Sequence, residues 1–255
     1  MNWSDELIDT YEGVQRVTIK RYDVMDRFGE VVKCGDPYVA VFDFDDNGHL
    51  VKNSSYLDGK LSYVVVYKYD AEGRLVERGG YEADGYLDEK ALCKYDSAGR
   101  LIEKAWFDRD GALGFRGRHT YEYNSEGKMS AAVQYDYDGA LGSKRSYEYD
   151  SAGRVIRVLW YGANGSVTYE DIYLYDAEGR LVSEVENLSD GSPMEQMSYQ
   201  YDSLGNMVRM VWVSRQIETH LRKYDSRGNE VEILAYKTDG MIPFCLMEID
   251  IVYAD

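Results

Sequence analysis

Apolar and polar residues alternate along most of this chain, and glycine-containing turns interrupt the alternation at intervals of 11 to 16 residues between Gly48 and Gly205. This alternation predicts β-strands, because successive side chains of a strand point to opposite faces of the sheet. A helical pattern is expected only within residues 1–12, where Ser4 would cap a short helix. The chain is therefore predicted to be all-β.

Two kinds of turn alternate along the chain. The first has Asp or Asn, two permissive residues and a glycine, and its eight copies end at Gly48, Gly73, Gly99, Gly127, Gly153, Gly179, Gly205 and Gly228. Its Asp is predicted to accept a hydrogen bond from the amide two residues later, and its glycine to close a type I turn with a bulge. The second is an Asp-Gly or Asn-Gly pair, with glycines at Gly59, Gly85, Gly111, Gly139, Gly165, Gly191 and Gly240.

Each unit of about 26 residues thus reads strand, turn, strand, turn. Because consecutive turns lie at opposite ends of the sheet, about eight units predict an antiparallel meander of about 16 to 18 strands. A degenerate ninth unit is expected at residues 22–29, and the second turn is missing after Gly205, where Ile217 stands at its glycine position.

The first turn lies within a longer frame, Tyr-x-Tyr-Asp-x-x-Gly-Arg-Leu, which is complete at residues 67–75 and 173–181. This frame resembles the YD repeats of bacterial Rhs-type proteins, over about residues 20–240. The resemblance implies a strip of β-hairpins curled into a partial shell or spiral, and a secreted or cell-surface setting. In large members the shell encloses a toxic C-terminal domain, a role not expected here because the chain is too short.

The repeat predicts one YD-repeat domain over residues 1–255. Residues 1–20 would be an N-terminal cap or first strand, 21–240 the repeats, and 241–255 a terminal edge strand. An unpaired edge at residues 248–253 is expected either to pair with another chain or to be covered by the N-terminal segment. The two tyrosines before each first turn share a face and are predicted to stack into aromatic ladders.

Two further stripes of side chains follow each first turn. Leu, Met or Val stands two positions after the glycine, and an aromatic residue stands eight positions after it at Tyr56, Tyr81, Phe107, Tyr135, Tyr161 and Tyr236. Both offsets are even, which predicts a common face, whereas Trp106, Trp160 and Trp212 stand at an offset of seven and are predicted to lie opposite. Their apolar neighbours Val158 and Met210 favour buried indoles. The alternative is a platform on which the three tryptophans bind a sugar or a peptide.

Composition excludes several partners and cofactors. The formal charge of −17 disfavours nucleic acid and anionic membrane surfaces, and the longest apolar run, residues 63–67, is too short to span a bilayer. No signal peptide is recognisable at the N-terminus. Cys34, Cys93 and Cys245 are odd in number and far apart, which predicts isolated core thiols rather than disulfides or a zinc site. No cofactor is expected.

The sequence contains little evidence for catalytic or metal-binding residues. His49, His119 and His220 lie in three different units and are expected at the surface or rim. Residues 108–111 and 136–139 look faintly like calcium loops but lack the further ligands of such a loop, so no metal site is predicted. With 46 acidic residues, a glycosidase-like pair of carboxylates remains open.

These patterns predict a non-enzymatic binding or scaffold protein that presents a curved, aromatic-rich β surface to a protein or glycan. Two alternatives remain: a carbohydrate-active hydrolase with paired carboxylates, and a purely structural fragment of a larger surface or toxin assembly.

Overall fold

The computed structural model describes residues 13–213, 217–237 and 242–254. The helix predicted within residues 1–12 lies outside this part of the chain. The described residues form eighteen strands: β1 Val14–Arg27, β2 Glu30–Phe44, β3 Leu50–Leu57, β4 Lys60–Tyr69, β5 Leu75–Glu82, β6 Leu87–Tyr95, β7 Leu101–Asp108, β8 Leu113–Tyr123, β9 Met129–Tyr135, β10 Leu141–Tyr149, β11 Val155–Gly162, β12 Val167–Tyr175, β13 Leu181–Leu188, β14 Pro193–Tyr201, β15 Met207–Val213, β16 Ile217–Tyr224, β17 Glu230–Lys237 and β18 Ile242–Tyr253.

All consecutive strands pair in antiparallel fashion, and β18 also pairs with β1. The predicted antiparallel meander and its number of strands are confirmed. The predicted partial shell or spiral is wrong, because the pairing of β1 with β18 closes the sheet into a barrel.

β1 covers the edge that was expected to be free at residues 248–253. It pairs with β18 from Cys245 to Tyr253, while β17 pairs with the other side of β18 as far as Glu248. The N-terminal segment therefore covers one side of residues 248–253. On the other side β17 pairs only as far as Glu248, so self-association through 248–253 stays a prediction. The degenerate ninth unit does turn at Gly29, but Tyr22 to Arg27 continue β1, and the turn is a two-residue hairpin in which Phe28 and Gly29 both have positive φ.

Two apolar clusters lie where the barrel closes. One contains Val14, Val17, Ala40, Phe42, Phe44 and Ile249, and the other contains Ile233, Ala235, Cys245 and Met247. Ile19 packs against both clusters and joins them. We call β17, β18, β1 and β2, with these two clusters, the seam.

The first turns have the predicted chemistry. In the turn after β4, the Asp70 Oδ1 atom accepts hydrogen bonds from the Glu72 amide at 3.1 Å and the Arg74 amide at 2.9 Å. The Gly73 amide donates to the Asp70 carbonyl at 3.1 Å. All eight first-turn glycines have φ between 78° and 90°, the left-handed region that glycine enters at little cost.

Tyrosines connect successive first turns. Tyr95 at the end of β6 donates its hydroxyl to the Leu75 carbonyl at 2.7 Å, and the Arg74 guanidinium lies 5.0 Å from the Tyr95 ring centroid. The same hydroxyl bond recurs at Tyr69, Tyr123, Tyr149, Tyr175, Tyr201 and Tyr224. The predicted tyrosine stripe therefore forms, but cations alternate with its rings.

Most of the second turns repeat the hydrogen-bond pattern of the first turns. Gly85 donates its amide to the Glu82 carbonyl at 2.9 Å, and Glu82 donates to the Tyr86 carbonyl at 3.0 Å. The pair Asp58-Gly59 differs, because both residues have positive φ, 48° and 70°, as a two-residue hairpin turn requires. The turn expected at Asp239-Gly240 lies outside the described residues.

A bulge after each first turn decides which side chains share a face. Tyr149 pairs with Val155, but Glu148 pairs with Arg157, so Ile156 is an extra residue in β11. Because of this extra residue, side chains two and eight positions after the first-turn glycine point to opposite faces of the sheet. The predicted common face for the Leu and Tyr stripes is therefore wrong: Val155 shares a face with Trp160, whereas Tyr161 points to the other.

We call the face that carries Trp106, Trp160, Trp212 and the paired tyrosines the aromatic face. Its residues on the even-numbered strands β4 to β14 are mostly buried or half-buried, while the opposite face exposes Lys68, Lys94, Glu122, Glu148, Leu174 and Gln200 near the first turns. Side chains converge on the concave side of a curved sheet and diverge on its convex side. We therefore assign the aromatic face to the inside of the barrel.

Candidate binding face

The three predicted tryptophans lie on the aromatic face, at separate positions around the barrel. Trp106 is on β7, Trp160 on β11 and Trp212 on β15, and each is half-buried. They are thus neither the dry core residues that their neighbours favoured nor a solvent-exposed platform. Val158 and Met210, which lie two positions before Trp160 and Trp212 on the same face, are buried, at 4% and 5% exposure.

Carboxylates hold two of the indoles in place. The Trp160 Nε1–H donates to the Asp171 Oδ2 at 2.6 Å, and the Trp212 Nε1–H donates to the Glu195 Oε2 at 3.2 Å. A buried indole N–H that has a carboxylate partner fixes the orientation of its ring. Trp160 and Trp212 are therefore pre-oriented aromatic surfaces.

Trp106 has different neighbours. The His119 ring lies 4.9 Å from the Trp106 ring at a tilt of 59°, and the Lys104 ammonium lies 4.8 Å from the Trp106 centroid. The Arg145 guanidinium lies in the same way 4.7 Å from the Trp160 centroid. The part of the aromatic face from β7 to β10 is therefore basic.

A row of acidic residues crosses the aromatic face between Trp160 and Trp212. Asp171 pairs with Glu186, and Glu186 pairs with Glu195, on the three adjacent strands β12, β13 and β14. Burial raises the pKa of Asp171, although Trp160 and Arg145 lower it. Burial also raises the pKa of Glu186, and the neighbouring charges of Asp171 and Glu195 raise it further.

Sequence reasoning missed this acidic row. Its members lie in different units at unrelated offsets, and three acidic residues cannot be singled out among the 46 in the sequence. The register of β12 to β14, which the bulges set, is what brings them side by side. Had the bulges been predicted, Asp171 and Glu186 would have stood out as like charges directly opposite one another.

The three histidines are not brought together. His49 lies at the barrel rim, 4.6 Å from the Tyr69 ring, with its Nδ1 3.1 Å from the Asp45 Oδ2. His119 is half-buried on the aromatic face, and burial lowers its pKa. His220 is only 3% exposed, so its predicted rim position is wrong: it points inward beside Met210 and Ala235 on the neighbouring strands.

The suspected calcium loops are turns. The Asp108 Oδ1 accepts hydrogen bonds from the amides of Asp110 and Ala112, both at 3.0 Å. Within residues 13–213, 217–237 and 242–254, no three His, Cys, Asp or Glu side chains are grouped so that they could hold a metal ion. Cys245 is buried in the seam, Cys34 and Cys93 are half-buried, and all three are free thiols.

Two shallow grooves lie near the turns. One, of about 550 Å³, is bordered by Asp45, His49 and Tyr69 beside two first turns. The other, of about 330 Å³, is bordered by Leu141 and Tyr161 near a second turn. No helix long and apolar enough to cross a membrane occurs in the part of the chain that the structure describes.

Comparison with known proteins identifies the repeat. A family model described as RHS Repeat matches residues 149–192. No curated protein matches the chain. A porin-like protein from Bacteroides uniformis shares the fold, with a TM-score of 0.51 at 10% identity, over 95% of this chain and 98% of that one.

Toxin structures also match, more distantly. The Tc holotoxin pore of Photorhabdus luminescens matches at a TM-score of 0.41 and 16% identity, and the TcdB2-TccC3 structure matches at 0.35 and 12%. The matches cover 82% and 94% of this chain but only 11% and 16% of those chains. The predicted YD repeats are confirmed over residues 149–192, where the chain matches the RHS Repeat model.

Proposed function

We propose that this protein is a non-enzymatic structural module of a larger RHS-repeat assembly, and that it holds a protein partner on its aromatic face. The observation that carries the proposal is the pair of indoles, Trp160 and Trp212, which carboxylates orient on a half-buried face. Rigid, oriented aromatic rings lose little entropy when a partner packs against them, and Trp is enriched among the residues that dominate binding energy.

The closed barrel supports a scaffold role. A closed ring of strands has no edge strand, so the module can stand beside other domains with little tendency to edge-to-edge aggregation. The repeat match at residues 149–192 supports membership of a larger RHS assembly. The toxins named above span six to nine times the length of the matched region, so their activities and partners remain proposals for this chain.

A displayed library of random twelve-residue peptides tests the binding role. We expect selected peptides to bind the full chain and to lose affinity in Trp160→Phe and Trp212→Phe, which keep a ring but lose the oriented indole. Tyr137→Phe, an exposed turn residue, is the matched control and should bind as the parent does. Failure to select any peptide, or equal binding by all variants, would contradict the proposal.

A glycosidase is the second candidate, because the acidic row offers two adjacent carboxylates of raised pKa between Trp160 and Trp212. Asp171 and Glu186 are directly opposed on antiparallel strands, where Cβ atoms lie about 4.5 to 5.5 Å apart, so their carboxyl groups can approach the separation of about 5 Å between the carboxyl groups of retaining glycosidases. Turnover of a glycan panel that Glu186→Gln abolishes would establish this candidate. Absence of turnover, or turnover that Glu186→Gln leaves intact, would remove it.

A further inference from the structure

Three side chains that can carry positive charge lie on the aromatic face near Trp106 and Trp160, and Lys104 and Arg145 are both close enough to His119 to lower its pKa. Lys104 on β7 lies directly opposite His119 on β8, and Arg145 lies two strands further on, on β10. Lys104 and His119 both contact the Trp106 ring, and Arg145 lies over the Trp160 ring. We call Lys104, His119 and Arg145 the basic trio.

The basic trio lacks the carboxylate partners that other half-buried cations on this face have. Arg78 contacts the Glu89 Oε1 at 2.6 Å, and Arg222 contacts Glu230. Within the described part of the chain, neither Lys104 nor Arg145 forms an ion pair. Arg145 helps to lower the pKa of Asp171, but the Asp171 Oδ2 accepts the Trp160 N–H. Half-buried cations that form no ion pair are costly, so a bound anion would stabilise this site.

An amide group lies within the basic trio. Gln134 on β9 stands opposite His119, and its Oε1 accepts a hydrogen bond from the Ser143 hydroxyl at 3.1 Å. With its oxygen so engaged, the Gln134 side chain offers N–H donors to a ligand. Lys104, Gln134 and Arg145 together present donors of the kind that bind carboxylate oxygens, and the planar Arg145 guanidinium can bind both oxygens at once.

We propose that the basic trio is an oxyanion site that receives a carboxylate of a protein partner, from an Asp, a Glu or a chain terminus, while Trp106 and Trp160 contact the adjoining apolar side chains. The net charge of −17 repels polyanions, so the partner segment brings one or two carboxylates rather than a run of them. This inference rests on the proposed binding role of the aromatic face.

Sodium acetate is the simplest probe. Indole N–H signals of the full chain are followed by NMR as acetate replaces chloride at constant ionic strength. We expect the Trp106 and Trp160 signals to shift and saturate, and the Trp212 signal to stay. Lys104→Gln and Arg145→Gln should each weaken acetate binding by about tenfold, the loss of one charge-assisted hydrogen bond. Lys144→Gln removes the same charge from the opposite face of the same strand and should change nothing.

Two peptides and a sugar acid then identify the ligand class. The peptide acetyl-Leu-Glu-Phe-Glu-Leu-amide should bind more tightly than its twin with Gln in place of Glu, and more tightly than galacturonate. Tighter binding of galacturonate would overturn the protein class. Acetate shifts that persist in Arg145→Gln, or that chloride reproduces, would overturn the oxyanion site.

The peptides also separate this inference from the binding role on which it rests. If both peptides bind equally and Trp160→Phe weakens both, the aromatic face binds protein but the oxyanion site is wrong. If no probe moves any indole signal, both proposals fail.

Discussion

The seam and the repeat wall from β4 to β14 are both antiparallel sheet, yet different forces hold them together. In the wall, each unit joins the next through local polar contacts, such as those of Asp70, Arg74 and Tyr95. At the seam, residues more than 200 positions apart in sequence pair, and Ile19, Phe42 and Ile249 pack in apolar clusters. Local turn chemistry is enough to build a strip, whereas closing it requires distant apolar contacts.

The reason is entropic. A hairpin closes a short loop, but joining β1 to β18 orders almost the whole chain, at a cost that only substantial burial offsets. Accordingly, Ile233 at the seam is the one large side chain below 2% exposure in the described residues. The wall uses half-buried side chains instead, which leaves its aromatic face accessible to a partner.

The largest expected effect is therefore at the seam. Ile233→Ala should lower the free energy of unfolding by about 2 to 5 kcal/mol, because it leaves a cavity in a fully buried cluster. Ile172→Ala, in the half-buried wall strand β12, is the matched control and should cost about 1 kcal/mol. Urea denaturation of both variants measures the difference. Equal losses would mean that apolar burial contributes no more to stability at the seam than in the wall.

The tryptophans should show an intermediate effect. Trp160→Ala should cost about 2 kcal/mol, roughly half the loss for a fully buried Trp, since the ring is half-buried. Trp160→Phe should recover part of this loss, but not the part due to the bond with Asp171. A loss in Trp160→Ala above about 3 kcal/mol would restore the core interpretation, and one below about 0.5 kcal/mol would indicate a free surface ring.

Turn glycines offer a smaller and sharper comparison. Gly48→Ala should cost about 1 kcal/mol for the left-handed backbone alone, because a Cβ there would meet nothing within 4 Å. Gly73→Ala should cost more, because its Cβ would lie 2.9 Å from the His49 Nε2. When His49→Ala is added to Gly73→Ala, the loss of stability caused by the Gly73 substitution should fall to about that of Gly48→Ala, as measured by thermal denaturation. Equal losses in the two single variants would show that the contact with His49 is not formed.

Acidification should weaken the wall through its first turns. The backbone amide and then the side chain of Arg100 lower the pKa of Asp96, and those of Arg154 act likewise on Asp150. A carboxyl whose folded pKa is lowered stabilises the fold above its ordinary value of 3.8 and loses that contribution as the pH falls through the folded pKa. Asp96→Asn should therefore flatten the loss of stability below about pH 4, and an unchanged slope would contradict the turn assignment.

The sequence predicted those features that local chemistry determines. The hydrogen bonds of the Asp70 side chain and the glycine φ values arise within one turn, so the repeat reveals them. The tyrosine stripe was predicted as well, but the hydroxyl bonds of its tyrosines to the preceding unit were not. The bulge residue Ile156 has no composition signal of its own, and without it the face of Trp160 relative to Val155 was predicted wrongly. Closure depends on Ile19 meeting Ile249, a contact across the whole chain that no local pattern contains, and the acidic row at Asp171 depends on the register.

Closure of the barrel is the central claim, and a disulfide tests it most directly. Lys20 and Glu248 lie opposite one another on β1 and β18, and opposed antiparallel residues have Cα atoms about 4.5 to 5.5 Å apart, within the range of a disulfide.

The experiment uses a chain with Cys34→Ser, Cys93→Ser and Cys245→Ala. The pair Lys20→Cys and Glu248→Cys is oxidised in this chain, and its mobility on a denaturing gel is compared with that of two control pairs. Lys68→Cys with Glu77→Cys, opposed on β4 and β5, should cross-link, and Lys20→Cys with Glu77→Cys should not. A closed barrel predicts that the β1–β18 pair forms its intramolecular disulfide as fast as the β4–β5 pair. Failure of the β1–β18 pair to cross-link while the β4–β5 pair does so would contradict closure.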